Sequence, residues 1–283
     1  MLSVFLGLAT AFNYALQDLF LMPVAKATSA IAGVLWIRVV ALAGIVVIFL
    51  AVGSVPSGGD QWRAAGLAAV GGTLEVAAFT AWLVALNRGK LSVVSPLGSL
   101  SSAFTVVFVL LIGQPVARAV WIGLPLALVG SALTSLEPDA EGGRPRSAAA
   151  GTGYAVAAAA AFGLVTICFG EASALPPVGV SLFAGLATVA VLLPLALLRG
   201  TWRVAPPFRL RLGVCGLLDT AALLTFATAT SLGPLSVVGI VVAQTGTMAV
   251  ILGMVLLHER PARTQLLGIA LTLVAVTILG AVA

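Results

Sequence analysis

Charge is scarce in this sequence. Only 8% of its 283 residues are Asp, Glu, Lys or Arg, against roughly 25% in an ordinary soluble domain. Apolar residues make up 61%, and the mean hydropathy is +1.19. No soluble interior could hide that much apolar surface, so the chain reads as a polytopic membrane protein. Extended polar sequence is missing too. The longest polar stretch is Glu137 to Ser147, which leaves no room for a domain outside the membrane.

Other shortages exclude whole classes of chemistry. There is one histidine, His258, and there are two cysteines, Cys168 and Cys215, both inside apolar runs. That composition cannot assemble a His/Cys metal set, and the cysteines read as small packing residues. No P-loop, GxGxxG, HExxH or nucleophile–base pair is present. A nucleotide-driven pump and a membrane-embedded enzyme are therefore not expected, and neither is a cofactor. The net charge of +5 and pI near 10.0 would suggest nucleic acid in a soluble protein. Here the basic residues stand singly between apolar runs, where they set orientation instead. A cleaved signal peptide is not expected, because no basic start precedes the first apolar run.

What is present is a series of apolar runs. A bilayer core takes about 20 residues of helix, and ten runs qualify: 3–21, 30–52, 63–86, 91–112, 117–136, 150–170, 177–198, 211–230, 235–257 and 263–282. The runs do not alternate in polarity, so a β-barrel is excluded. Helices satisfy their own backbone groups in lipid, so the expected fold is all-α.

The chain repeats itself. GKLSVV (89–94) returns as GPLSVV (233–238), a shift of 144 residues. The same shift lays GTLEVAAF (72–79) on GLLDTAAL (216–223), with four of eight positions identical and an acid kept at Glu75 and Asp219. After a one-residue slip, LIGQPVARAVWIG (111–123) falls on LLHERPARTQLLG (256–268), and Gln114 meets Glu259. The N-terminal fifth aligns weakly, through Ala11–Phe12 and Ala161–Phe162. The expected organisation is a five-helix repeat over 1–136, a connection over 137–149 and a second five-helix repeat over 150–283. An odd number of crossings per repeat forces the copies to insert upside down. That is the inverted-repeat plan of secondary transporters, with a site near the midplane between the repeats.

The pattern resembles the EamA-type branch of the drug/metabolite transporter superfamily over nearly the whole chain. Arg38 matches the family's arginine in the opening turn of the second span, in the first repeat only. Gly89–Val94 and Gly233–Val238 match its small-residue Ser-Val runs. Glu259–Arg260 matches its acidic turn before the last helix, where the first repeat departs with Gln114–Pro115. The resemblance implies an exporter of small amphipathic metabolites such as amino acids, or of drugs, by alternating access. A proton-coupled multidrug antiporter or a passive facilitator is the alternative. The implied partners are the lipid bilayer, a small-molecule substrate and protons, with no nucleic acid. The implied state is a monomer or homodimer in a bacterial cell membrane.

The candidate substrate-binding residues are those too polar for lipid. Glu75 lies within one or two residues of the centre of its run, and Asp219 about two residues, roughly 3 Å, from the centre of its own. A carboxylate at the midplane costs about 3 kcal/mol on insertion scales, so such residues face the bundle interior. The structural alternative is a helix-to-helix hydrogen bond or a pair with Arg38. Phe79 and Trp82 follow Glu75 at helical spacing, and an acid beside two aromatics suits an ammonium group on an apolar body. Asn13, Tyr14, Gln17 and Asp18 make one face of the first span polar. Of these, Asn13, Tyr14 and Gln17 are expected in the cavity, and Asp18 reads as an interfacial carboxylate. Ser99, in a hydroxyl stripe with Ser95 and Ser102, and Gln244, with Thr245 and Thr247, complete the set.

Two lines of reasoning on orientation diverge. Alternating the loops puts eleven of the thirteen Lys and Arg other than Arg38 on one side. The positive-inside rule then leaves both termini outside, whereas the resemblance implies termini inside.

Overall fold

The computed structural model describes residues 1–25, 28–88, 97–135, 151–256, 258 and 261–281. The Gly89–Val94 run, Ser95, the 137–149 connection and the Glu259–Arg260 turn lie outside the described residues. Every regular element described is a helix: α1 Leu2–Ala25, α2 Ala30–Val52, α3 Gly59–Arg88, α4 Leu100–Leu111, α5 Val120–Thr134, α6 Thr152–Glu171, α7 Pro177–Leu198, α8 Pro206–Leu232, α9 Leu235–Val242, α10 Thr245–Leu256 and α11 Arg263–Gly280.

Eight segments are long and apolar enough to cross a membrane, with α9 and α10 forming one of them, Leu235–Leu256. Helices α4 and α5 are shorter, at 12 and 15 residues, or about 18 and 22 Å of rise. Side chains such as Leu50, Leu198 and Leu210 are at least 80% exposed, which is the surface of a protein solvated by lipid. The chain is a multi-pass membrane protein.

Local chemistry sets several helix ends. Helix α3 starts four residues before its expected start at 63, with Asp60 in its first turn complementing the helix dipole. Two prolines open α8 at Pro206 and Pro207, where their missing N–H groups cost nothing. Gly113 and Gly200 stop α4 and α7 in the left-handed region, with φ of 76° and 62°. The expected span 235–257 is instead interrupted at Ala243–Gln244. There the Gln244 amide donates to the Ile240 carbonyl at 3.0 Å, while the Gln244 backbone N–H reaches only back to Val241. A side chain competing with the backbone ladder tightens and breaks the helix.

Helix α1 packs on α8, α3 on α6 and on α7, α2 on α7 and α8, α4 on α6, and α5 on α11. Small residues let these backbones approach closely. A Cβ added at Gly72 would run into the backbone of Ala184 on α7. One added at Gly216 would meet Val40 and the Ile37 carbonyl on α2. Threonines lock both crossings. Thr188 donates to the Gly72 carbonyl at 3.0 Å, and Thr220 donates to the Ala41 carbonyl at 3.2 Å. Each glycine lies one helical turn before an acid, Glu75 and Asp219.

Gly72→Ala is expected to cost about 1–3 kcal/mol, the usual range for overpacking a tight contact. The measurement is the unfolding midpoint of the purified protein. Because the clash is with backbone, adding Ala184→Gly is expected to restore nothing.

Candidate substrate site

Four helices bring their polar residues to one place. Arg38 on α2 donates from Nη2 to Glu75 Oε1 on α3 at 2.7 Å. Its other terminal nitrogen, Nη1, lies 3.2 Å from Asp219 Oδ2 on α8. This second contact is electrostatic only, off the line of a hydrogen bond. Among the described residues, neither Asp219 oxygen, nor Arg38 Nη1, nor Glu75 Oε2 has a hydrogen-bond partner. The three side chains are 8%, 7% and 0% exposed for Arg38, Glu75 and Asp219. Two carboxylates against one guanidinium leave one formal negative charge over. A buried core with a surplus charge and unused hydrogen-bonding capacity is costly to maintain in an apolar interior.

Helix α1 supplies the fourth wall. Tyr14 is half-buried and lies within electrostatic reach of Glu75, Asp219 and Arg38. Gln17 is buried, with its amide oxygen unpartnered. Its backbone carbonyl faces the Cys215 thiol at 3.7 Å, one turn before Asp219 on α8.

The remaining expected site residues have other neighbours. Asn13 is half-buried and turns its amide back to the Ala9 carbonyl of its own helix at 2.8 Å. Phe79 is half-buried beside Glu75 on α3. Trp82 lies two turns beyond Glu75 on the same helix. Its ring lies over Gly98, in a cluster with Ala85, Leu97 and Ala155. Ser99 precedes α4, and its carbonyl accepts from the Ser102 hydroxyl at 2.7 Å. Gln244 is 2% exposed and accepts from Ser131 on α5 at 2.8 Å. Thr247 and Thr272 surround the same oxygen at 3.5 and 3.4 Å. These partners make Gln244 the hub of a polar clasp between α5, α10 and α11.

Sequence reasoning raised the Arg38 pairing separately for each acid. It missed that one guanidinium serves both, and it missed Ser131 and Thr272 as partners of Gln244. A lone arginine within an apolar span was the available signal for the first.

Removing the hub of the clasp should be measurable. Gln244→Leu leaves Ser131 without its acceptor and is expected to cost about 1 kcal/mol, near the upper part of the range for polar contacts between membrane helices. The readout is the unfolding midpoint.

Residues 149–281 match the EamA-like transporter family. The second half of the chain belongs to that family. EamA-like proteins are membrane transporters of the drug/metabolite superfamily, and the match concerns the second half of this chain. The matched stretch takes in Asp219. No curated protein matches the chain. A protein of known crystal structure shares the fold over 99% of this chain and 97% of its own, with a TM-score of 0.81 and 17% identity. At that identity the likeness concerns the fold alone.

Proposed function

We propose that this EamA-like protein is a secondary transporter, working as an exporter of small amphipathic metabolites or drugs by alternating access around Arg38, Glu75 and Asp219. The observation that carries the reading is the convergence of repeat-equivalent acids on one arginine. Two costly carboxylates kept at matching positions and brought to a shared cation make a site, where separate packing acids would each find their own partner.

The proposal takes the helices as ten crossings in two inverted five-helix repeats. Several features support it. Exchanging the two halves turns the α1–α8 contact into α6–α3, and the α3–α7 contact into α8–α2; all four are major contacts. Gly72 against Ala184 becomes Gly216 against Val40 under the shift of 144 residues. After the one-residue slip, Gly113 and His258 coincide, and both have positive φ, at 76° and 57°. A pseudo-symmetric pair of bundles meeting at a charged centre can rock about that centre, opening it to one side at a time. In the closed arrangement Arg38 bridges the two repeats. A cation or proton entering the site competes with Arg38 for the acids and frees one repeat to move.

Sided labelling tests the mechanism. With Cys168 and Cys215 replaced by alanine, a Gln17→Cys variant is placed in right-side-out and inverted vesicles and treated with a membrane-impermeant thiol reagent. Alternating access predicts labelling from both sides, with a transported solute shifting the ratio. A passive pore gives labelling from both sides that no solute shifts. Labelling from neither side, in folded protein, removes Gln17 from any solute path.

A further inference from the structure

The connection from α7 to α8 takes no part in the transport reading, and its charge is all of one sign. Arg199, Arg203, Arg209 and Arg211 crowd into and just past it, and no acid stands between Glu171 and Asp219. All four arginines are exposed, and among the described residues none is in an ion pair. Gly200, with φ of 62°, ends α7 and folds the connection back over α2. There the Ser29 hydroxyl donates to the Thr201 carbonyl at 3.4 Å, and the Trp36 indole N–H donates to the Trp202 carbonyl at 2.9 Å. The Arg203 guanidinium lies over the Trp202 ring, 5.2 Å from its centroid.

These contacts close one end of an apolar groove of about 150 Å³ between α2 and α7, lined by Leu35, Trp36, Val39, Leu193, Leu197 and Trp202. Leu35 anchors its floor in a buried cluster with Leu192 and Ala196. Its mouth is open to the bilayer, with Val39, Leu193 and Leu197 exposed at 39%, 42% and 55%. The groove is separate from the charged centre, because α2 turns Arg38 inward and Val39 outward. Trp36 lies six residues into α2, about 9 Å from its start. A tryptophan pair near a span's end, beside arginines, marks the level of the lipid headgroups.

We propose that this groove binds an anionic phospholipid, with one acyl chain between α2 and α7 and the phosphate held by Arg199 and Arg203. The two parts do different jobs. A lipid tail is already in apolar surroundings, so the groove contributes shape and little choice of headgroup. Basic side chains at the membrane surface attract anionic lipid, each by about fivefold in binding, so the arginines supply the selectivity. A second copy of this chain in the same orientation fits the face less well, since two-fold symmetry would set the same unpaired arginines against each other.

The test uses purified full-length protein in detergent and two added lipids with the same chains, dioleoyl phosphatidylglycerol (anionic) and dioleoyl phosphatidylcholine (zwitterionic). Binding is read as stabilisation against heat over a concentration series. The wild type is expected to respond to phosphatidylglycerol at a concentration lower by about fivefold or more. Arg199→Gln with Arg203→Gln is expected to bring the two lipids level. Arg118→Gln with Arg263→Gln removes the same charge before α5 and α11, away from the groove, and is expected to keep the preference. Val39→Phe fills the groove from its exposed side and is expected to lose the response to phosphatidylglycerol. Equal responses of the wild type to both lipids overturn the proposal. So does a preference that survives the Arg199 and Arg203 changes, one that the Arg118 and Arg263 changes also abolish, or one that Val39→Phe leaves intact. Disulfide-linked dimers of Leu193→Cys in membranes, with Cys168 and Cys215 replaced by alanine, would also overturn it and give the face to a second copy.

Discussion

Arg38→Met is expected to destabilise the protein by about 3–5 kcal/mol, the cost of removing one partner from a buried ion pair. The side chain it removes is the only described cation paired with either Glu75 or Asp219. Both acids are buried, and Asp219 is fully so. Methionine keeps much of the length of arginine and fills the space, so the loss reports charge and not a cavity. The size of the effect separates two origins. If it comes from carboxylates left uncompensated in a low-dielectric interior, then Arg38→Met combined with Glu75→Gln and Asp219→Asn regains most of the loss. If it comes from altered packing of α2 against α7 and α8, the triple variant stays as unstable as the single one. The measurement is the unfolding midpoint of purified protein in one detergent, with the folded yield from membranes as a second reading.

Legibility from sequence follows the physical cost of each feature. Glu75 and Asp219 stand out because a carboxylate in an apolar run is expensive wherever the helix packs. Their equivalence is visible because the repeat keeps GxLxxAA around them. Helix existence is equally plain, since twenty apolar residues have few alternatives in lipid. Finer features depend on contacts across the bundle. That Arg38 lies between both acids depends on how α2 and α3 meet α8, which local spacing does not encode. Trp82 shares the helical face of Glu75, yet its ring is captured by Gly98, a residue sixteen positions on. The break at Gln244 is hidden in a largely apolar segment of 22 residues, because one glutamine bonding back to Ile240 is invisible to hydropathy. Asp18 shows the same limit from the other side. Its distance from the end of the run suggests an interface, and only the burial of Ala11 and Ala15 places it on the packed side of α1.

These features connect into one physical picture. Glycine at 72 and 216 brings α3 onto α7 and α8 onto α2. The close crossings hold the acids one turn later at fixed depth. A guanidinium then spans the space between them with one good hydrogen bond and one poorly aligned contact. The better-bonded acid is Glu75, and Asp219 has charge proximity without a hydrogen bond. Neutralising each acid should therefore have different consequences for stability and similar ones for the surplus charge.

Glu75→Gln is expected to fold and to lose transport driven by a pH gradient by at least about tenfold, the equivalent of about 1.4 kcal/mol. The glutamine oxygen can still accept from Arg38 Nη2, so the contact at 2.7 Å has a replacement. What disappears is the surplus charge, since Arg38 and Asp219 then balance one against one. A centre with no spare negative charge no longer gains from binding a proton or a cation in exchange for the other. If the acid exchanges protons for solute, proteoliposomes carrying Glu75→Gln keep solute-for-solute exchange and lose the response to pH. If the acid holds the solute directly, both modes fail. Asp219→Asn provides the comparison. It removes the same charge from a carboxylate without a hydrogen bond, so it is expected to cost less stability than Glu75→Gln while losing the same pH-driven transport. Folded Glu75→Gln protein with unchanged transport in both modes at every pH would remove this residue from the mechanism and leave the ion pair as a purely structural tie between α2 and α3.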